Sequence, residues 1–188
     1  SLSNLPGSWT STANALEKHL FLAKDVLTVV NDYCLRGSSQ EVRALEAKAD
    51  RVIRGLNNHS ARGRLRADGS LRPVYRPRGL ILATGEDTPS GQSLTARMLI
   101  ISVAPGDVNL SRLSEYQAKA GEGVYAAAMA GYLKWLAPQI GALKKSLPAQ
   151  RQELRDMLRA QEGWAHPQTP TLIADLLIGF EQFLRFAT

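Results

Sequence analysis

Cysteine is nearly absent from this 188-residue chain. The single Cys34 excludes an internal disulfide framework and a cysteine-rich metal site. The three histidines, His19, His59 and His166, share no metal-ligand spacing. No Ser-His-Asp arrangement and no glycosidase-type carboxylate pair is supported by spacing. No apolar run approaches the roughly 20 residues needed to span a bilayer. No basic segment followed by an apolar one opens the chain, so no secretory signal is expected. A cytoplasmic setting is the expectation. The opening Ser1-Leu2-Ser3-Asn4-Leu5-Pro6-Gly7-Ser8 lacks an initiator Met and reads as a cloning remnant or the cut end of a longer protein. No internal repeat or low-complexity tract appears, and no G-x-x-x-x-G-K-[ST] phosphate loop occurs.

The stretch from Asp25 to Tyr33 is the most informative part of what is present. An apolar, β-branched run, Val26 to Val30, ends abruptly in Asn31-Asp32. That pattern predicts a buried parallel strand with a carboxylate at its C-terminal end. Ligands of open α/β sheets bind at such ends. A carboxylate there can hold Mg²⁺, directly or through water, beside a phosphate. Gly79 to Thr84 repeats the pattern and ends in Gly85-Glu86-Asp87. The Thr84 hydroxyl at that end can orient a water or sense a phosphate; a solvated turn with a helix cap is the plainer reading.

The hydrophobic fraction of 44% and the charged fraction of 21% are ordinary for a globular protein, and the formal charge is +6. The distribution of charge is not ordinary. Between Arg43 and Arg78 lie ten basic residues and three acids, a net +7, which leaves the remainder near −1. Nine of the ten are Arg, whose planar fork suits phosphate. A basic segment on a nearly neutral body is the footprint of a polyanion. Within it, Arg62, Arg64 and Arg66 alternate before the Asp68-Gly69 turn, with Arg72 beyond it. The spacing predicts a β-hairpin with an arginine face. Like charges on one short strand repel, so a counter-anion is expected. Exposed helix charges such as Arg43, Arg51 and Arg54 read as a solvated face. Tyr75 is the segment's one aromatic residue, so contact with nucleic-acid backbone is expected rather than base stacking.

Along the chain, Thr10-Ser11-Thr12 offers a cap for a helix through about Phe21. Glu41 to Leu56 reads as an amphipathic helix, with Val42, Leu45, Ala49, Val52, Ile53 and Leu56 on one stripe and a cap at Ser38 or Ser39. Met98 to Val103 reads as a third buried strand. Ser111 to Ala137 reads as a helix or helix pair, Ala149 to Gln161 and Thr171 to Phe186 as further helices. The expected organisation is an α/β part over residues 1–110 and a helical part over 111–188. Arg97, just before the third strand, either reaches into a neighbouring subunit's phosphate site or pairs with Asp107 or Glu86.

Several of these pieces together resemble a known group. They are Trp9-Thr10-Ser11-Thr12-Ala13-Asn14-Ala15-Leu16-Glu17, the Ala23-Lys24-Asp25 lead into Asn31-Asp32, Pro77 to Asp87, Ser93-Leu94-Thr95-Ala96-Arg97, and His166 to Ala187. They look like the C-terminal half of a P-loop ATPase of the phage and plasmid primase-helicase type, near helicase superfamily three among the AAA+-like ATPases. The resemblance implies a partial P-loop-type parallel sheet followed by a helical subdomain. Asn31-Asp32 would stand at the Walker B acidic pair, with Asn31 departing from the usual acid and Asp32 helping to hold Mg²⁺. Thr84 would match the sensor-one position, with Glu86 beside it, and Arg97 an arginine finger. Arg62, Arg64, Arg66 and Arg72 would sit on a DNA-facing insertion. ATP and Mg²⁺ would be the parent protein's cofactors, bound between subunits of a homo-oligomer, and DNA rather than RNA its partner. The phosphate loop would lie upstream.

Overall fold

A computed structural model describes residues 7–61, 63, 65–161, 163–164 and 166–188. The chain divides into two compact units, one ending at Arg97 and the other running from Met98 to Thr188. The division precedes the boundary suggested by composition. The reason is the run Met98 to Val103, expected as a strand, which carries no regular structure.

The first unit is α/β. Three parallel strands, β1 (Gly7–Ser8), β2 (Leu27–Tyr33) and β3 (Leu80–Gly85), lie in that spatial order. Helix α1 (Ala13–Ala23) joins the first two strands and α2 (Ser39–Asn57) stands between the second and third. Right-handed crossovers that advance in one direction place successive helices on the same face. Accordingly α1 and α2 pack against each other, and one sheet face is covered while the other is not. Thr28 and Val30 are buried on the helix side. Leu27 pairs with Leu80 and Val29 with Leu82 on the opposite side, where Leu27, Leu80 and Leu82 are each more than half exposed. The sequence expectation of strands buried on both faces therefore fails on one face. Both runs have the composition of two-sided burial, but the first unit supplies only one helical layer.

The core of this unit is Trp9, Leu16, Leu20, Val30, Tyr33, Ala49, Val52 and Leu94. Its helices start where the sequence indicates. Thr12 caps α1 through the Ala15 N–H. Ser38 and Glu41 form a reciprocal capping box on α2, which satisfies two orphan N–H groups at once. Arg51 clamps the nearly buried Glu17 with two hydrogen bonds of 2.8 and 2.6 Å, locking α2 to α1. Beyond α2, the described residues of the expected hairpin make one antiparallel bridge, Leu65 with Leu71, closed by Asp68 accepting from the Ser70 N–H and hydroxyl. Arg62 and Arg64 lie outside the described residues. A single turn, α3 (Gln92–Thr95), ends the unit.

The second unit is helical: α4 (Leu110–Gly121), α5 (Val124–Leu136), α6 (Ile140–Arg159) and α7 (Thr169–Ala187). Gly123, at φ +79°, separates α4 from α5. The third helix begins earlier than expected and runs through Pro148, although proline prefers a helix's first turn. Tyr132, Trp135, Phe183 and Phe186 interlock with ring centroids 5.6–6.3 Å apart. Arg151 and Asp175 tie α6 to α7. No helix among the described residues is long and apolar enough to cross a membrane.

Two glycines with similar backbone angles separate strain from collision. Gly69 (φ +80°) has open space around it, whereas a Cβ on Gly79 (φ +84°) would stand 2.6 Å from the Lys24 carbonyl oxygen and 2.8 Å from that of Val26. Gly69→Ala should cost about 1 kcal/mol. Gly79→Ala should cost at least about 2 kcal/mol, because Lys24 and Val26 lead directly into β2. Urea titration of both variants measures the difference.

Candidate site at the strand ends

The carboxyl ends of β2 and β3 are neighbours. From Leu27 to Val30 the two strands run in register, then Tyr33 pairs with Gly85. Asn31 and Asp32 together therefore oppose the single residue Thr84, which is a β-bulge. Asp32 accommodates the extra residue at φ +66°, a left-handed conformation that Asp tolerates better than most side chains. Bulges re-aim side chains and are frequent beside active sites. Here the bulge restores burial to Tyr33 and leaves Asp32 exposed at the rim.

Gly85 is held as tightly as the bulge. A Cβ there would overlap the Tyr33 carbonyl oxygen. That same oxygen accepts from the Glu86 N–H at 3.1 Å and the Asp87 N–H at 3.4 Å. The Asp87 carboxylate returns to accept from the Leu35 N–H at 2.7 Å. The two strand ends are thus stitched together by backbone, and their side chains are placed by it. Thr84 Oγ1 donates to Asn31 Oδ1 at 3.1 Å. Asp32, Cys34, Arg36, Gly85 and Glu86 line an open depression of about 330 Å³.

The five residues expected to act together separate into three groups. Asn31, Asp32 and Thr84 share one rim. Glu86 is at the same rim, but the Arg36 guanidinium holds both its oxygens at 2.7 and 2.6 Å. Arg97 turns back on its own helical turn, donating to the Ser93 carbonyl and, at 2.8 Å, to the Ser93 hydroxyl. It pairs with neither Glu86 nor Asp107. Asp107 Oδ2 instead accepts from the Ala104 N–H. Arg36 joins the site without having been singled out, and Cys34 and Asp87, noted as a lone thiol and as the end of the second run, join it without having been expected to act there. Their signal was adjacency: each stands within four residues of a candidate, on the loop that a strand end must feed.

Electrostatics distinguish the groups. Burial pushes the Tyr33 phenol up to about 12, with the Glu46 and Asp87 carboxylates adding to it. Its hydroxyl is buried without a hydrogen-bond partner and stays neutral at ordinary pH. Raised above its unfolded value, this group favours the folded state fully below pH 10 and progressively less as pH climbs toward 12. Burial also raises the Cys34 thiol, opposed by Arg36 and reinforced by Glu86, so it is a poor nucleophile.

A magnesium–phosphate centre at this rim would find one free carboxylate among the described residues. Mg²⁺ keeps several waters and takes one or two carboxylates plus substrate phosphates. Asp32 supplies one exposed carboxylate, while Glu86 is committed to Arg36. Among the described residues no group of three or more His, Cys, Asp or Glu could hold a metal by itself. No family model, curated protein or solved structure matches this chain.

Asp32 is a test of whether the rim is built for function or for stability. Asp32→Gly relieves a positive φ and removes no hydrogen bond described at this site, so stability should hold or rise by up to about 1 kcal/mol. A loss exceeding 1 kcal/mol in urea denaturation would assign Asp32 a structural role instead.

Proposed function

We propose that this chain binds nucleic-acid backbone through its arginine segment and forms part of a DNA-associated, primase-helicase-like P-loop ATPase whose phosphate loop is supplied by other sequence. The observation that carries the reading is how the cations of that segment are used. Those on α2 are consumed internally: Lys48 by the Trp9 carbonyl, Arg51 by Glu17 and Asn14, Arg54 by Asp50 and Ser93, with Arg43 left exposed. Arg78 lies over the Phe21 ring at 5.9 Å. Arg66, Arg72 and Arg76 are exposed and have no carboxylate partner among the described residues. Cations concentrated on an exposed segment and left unneutralised by the fold are available to phosphates.

In the ATPase reading, Asp32 helps hold Mg²⁺ and Thr84 senses the terminal phosphate. Arg97 reaches a neighbouring subunit only after leaving Ser93. A second reading, a binding module without catalysis, is favoured by the self-satisfaction of the rim: Thr84 donates to Asn31, and Glu86 is paired with Arg36.

Two measurements test this. Binding of a short DNA should weaken steeply with salt, and replacing Arg62, Arg64, Arg66 and Arg72 by Ala should lower the slope of log K against log salt by about 1 for each phosphate contact removed. Absence of binding at low salt, or an unchanged slope, defeats the polyanion reading. Mg²⁺-dependent ATP hydrolysis by the purified chain alone should not exceed the buffer blank. Robust turnover would show that no phosphate loop is missing.

A further inference from the structure

We propose that a cleft between α1 and the 72–75 segment accepts one unpaired nucleotide of a single strand, its base against the Tyr75 ring and its phosphate between Lys18 and Arg72. This inference rests on the nucleic-acid reading above and adds the class of strand. The cleft measures about 260 Å³ and is lined by Asn14, Glu17, Lys18, Arg72, Pro73 and Tyr75, among others. Small-ligand clefts begin near roughly 300 Å³, so this one is scaled to a single base rather than to a longer segment.

Its chemistry is that of an anion site with an aromatic wall. Among the described residues Glu17 is the one carboxylate in the lining, and the Arg51 fork neutralises it through contacts of 2.8 and 2.6 Å. Lys18 and Arg72 therefore remain as unopposed positive charges. The same fork takes Asn14 Oδ1 at 2.7 Å. That contact fixes the amide and leaves Asn14 Nδ2, a pure donor, for an acceptor on the base or phosphate. Tyr75 is 40% exposed. Its ring is held rather than free: Phe21 meets it edge-on at 5.2 Å, and Lys18 Nζ lies 5.7 Å from its centroid. A held, half-exposed ring with a lysine ammonium over it is a stacking platform for a base whose partner strand is absent. A duplex offers no such base, because its faces are already stacked.

The sequence gives poor prospects for stacking because only one aromatic residue lies in the basic segment. The missing support comes from α1, which places Phe21 and Lys18 against Tyr75 from outside that segment.

The full chain is titrated with a labelled oligothymidylate and with a duplex of equal length at one salt concentration. The single strand should bind more tightly. Tyr75→Leu should weaken its binding about fivefold or more and leave the duplex unaffected, while Tyr75→Phe should retain wild-type affinity. An oligonucleotide carrying 5-iodouracil should photo-crosslink to Tyr75 in the unmodified protein, a readout independent of any variant's folding. Equal loss of both strands on Tyr75→Leu, no loss at all, or crosslinks confined to other residues would overturn the inference while leaving backbone binding intact. Failure of both nucleic acids to bind at low salt would overturn the underlying reading, and this inference with it.

Discussion

Parallel pairing of β2 with β3, interrupted by one extra residue at Asn31-Asp32, is the constraint from which the candidate site follows. A parallel pair cannot be joined by a tight turn, so α2 and the arginine segment must lie between the two strands. The connection thereby delivers two strand ends to the same rim. The bulge then decides which side chains face solvent there. Without it, the residue after Asn31 would follow strict alternation, and Tyr33 would leave the core. With it, Tyr33 packs edge-on against Trp9 at 5.5 Å while Asp32 stands free. Core packing and an available carboxylate are two results of one local irregularity.

The long β2–β3 connection also explains how one basic segment serves two purposes. Its helical half lies on the core and uses its cations as links from α2 to the residue after β1, to α1 and to α3. In the half that follows α2, Arg66, Arg72 and Arg76 are left to solvent, while Arg78 lies over the Phe21 ring. Charge of one sign is tolerable in the first half because Lys48, Arg51 and Arg54 each face an acceptor, with Arg43 alone exposed. In the second half the compensation must come from outside the molecule.

Much of this arrangement was legible in the residues. The caps at Thr12 and Ser38, the stripe on α2, the Asp68-Gly69 turn and the two apolar runs ending in polar residues each carry a local physical cause, and each appears in the structure near its expected place. Met98 to Val103 shows where local reasoning stops. Its composition satisfies every local criterion for a strand, yet a strand exists only with a partner, and pairing is not encoded in six residues. The positive φ of Asp32 and the Arg36–Glu86 pair were similarly out of reach, since both depend on register between segments some fifty residues apart. Arg97 was read from its position alone, which could not disclose that Ser93, four residues earlier, would capture it.

The uncovered sheet face has a consequence for handling the molecule. Leu27, Leu80 and Leu82 present a contiguous apolar surface, while chains carrying +6 each repel one another. Concentrated electrolyte, the usual means of stripping polyanions from arginines during purification, screens that repulsion and strengthens apolar association at the same time. The step that frees the basic segment thus weakens the repulsion while favouring contact between exposed leucines, and colloidal behaviour should respond to ionic strength well before unfolding begins.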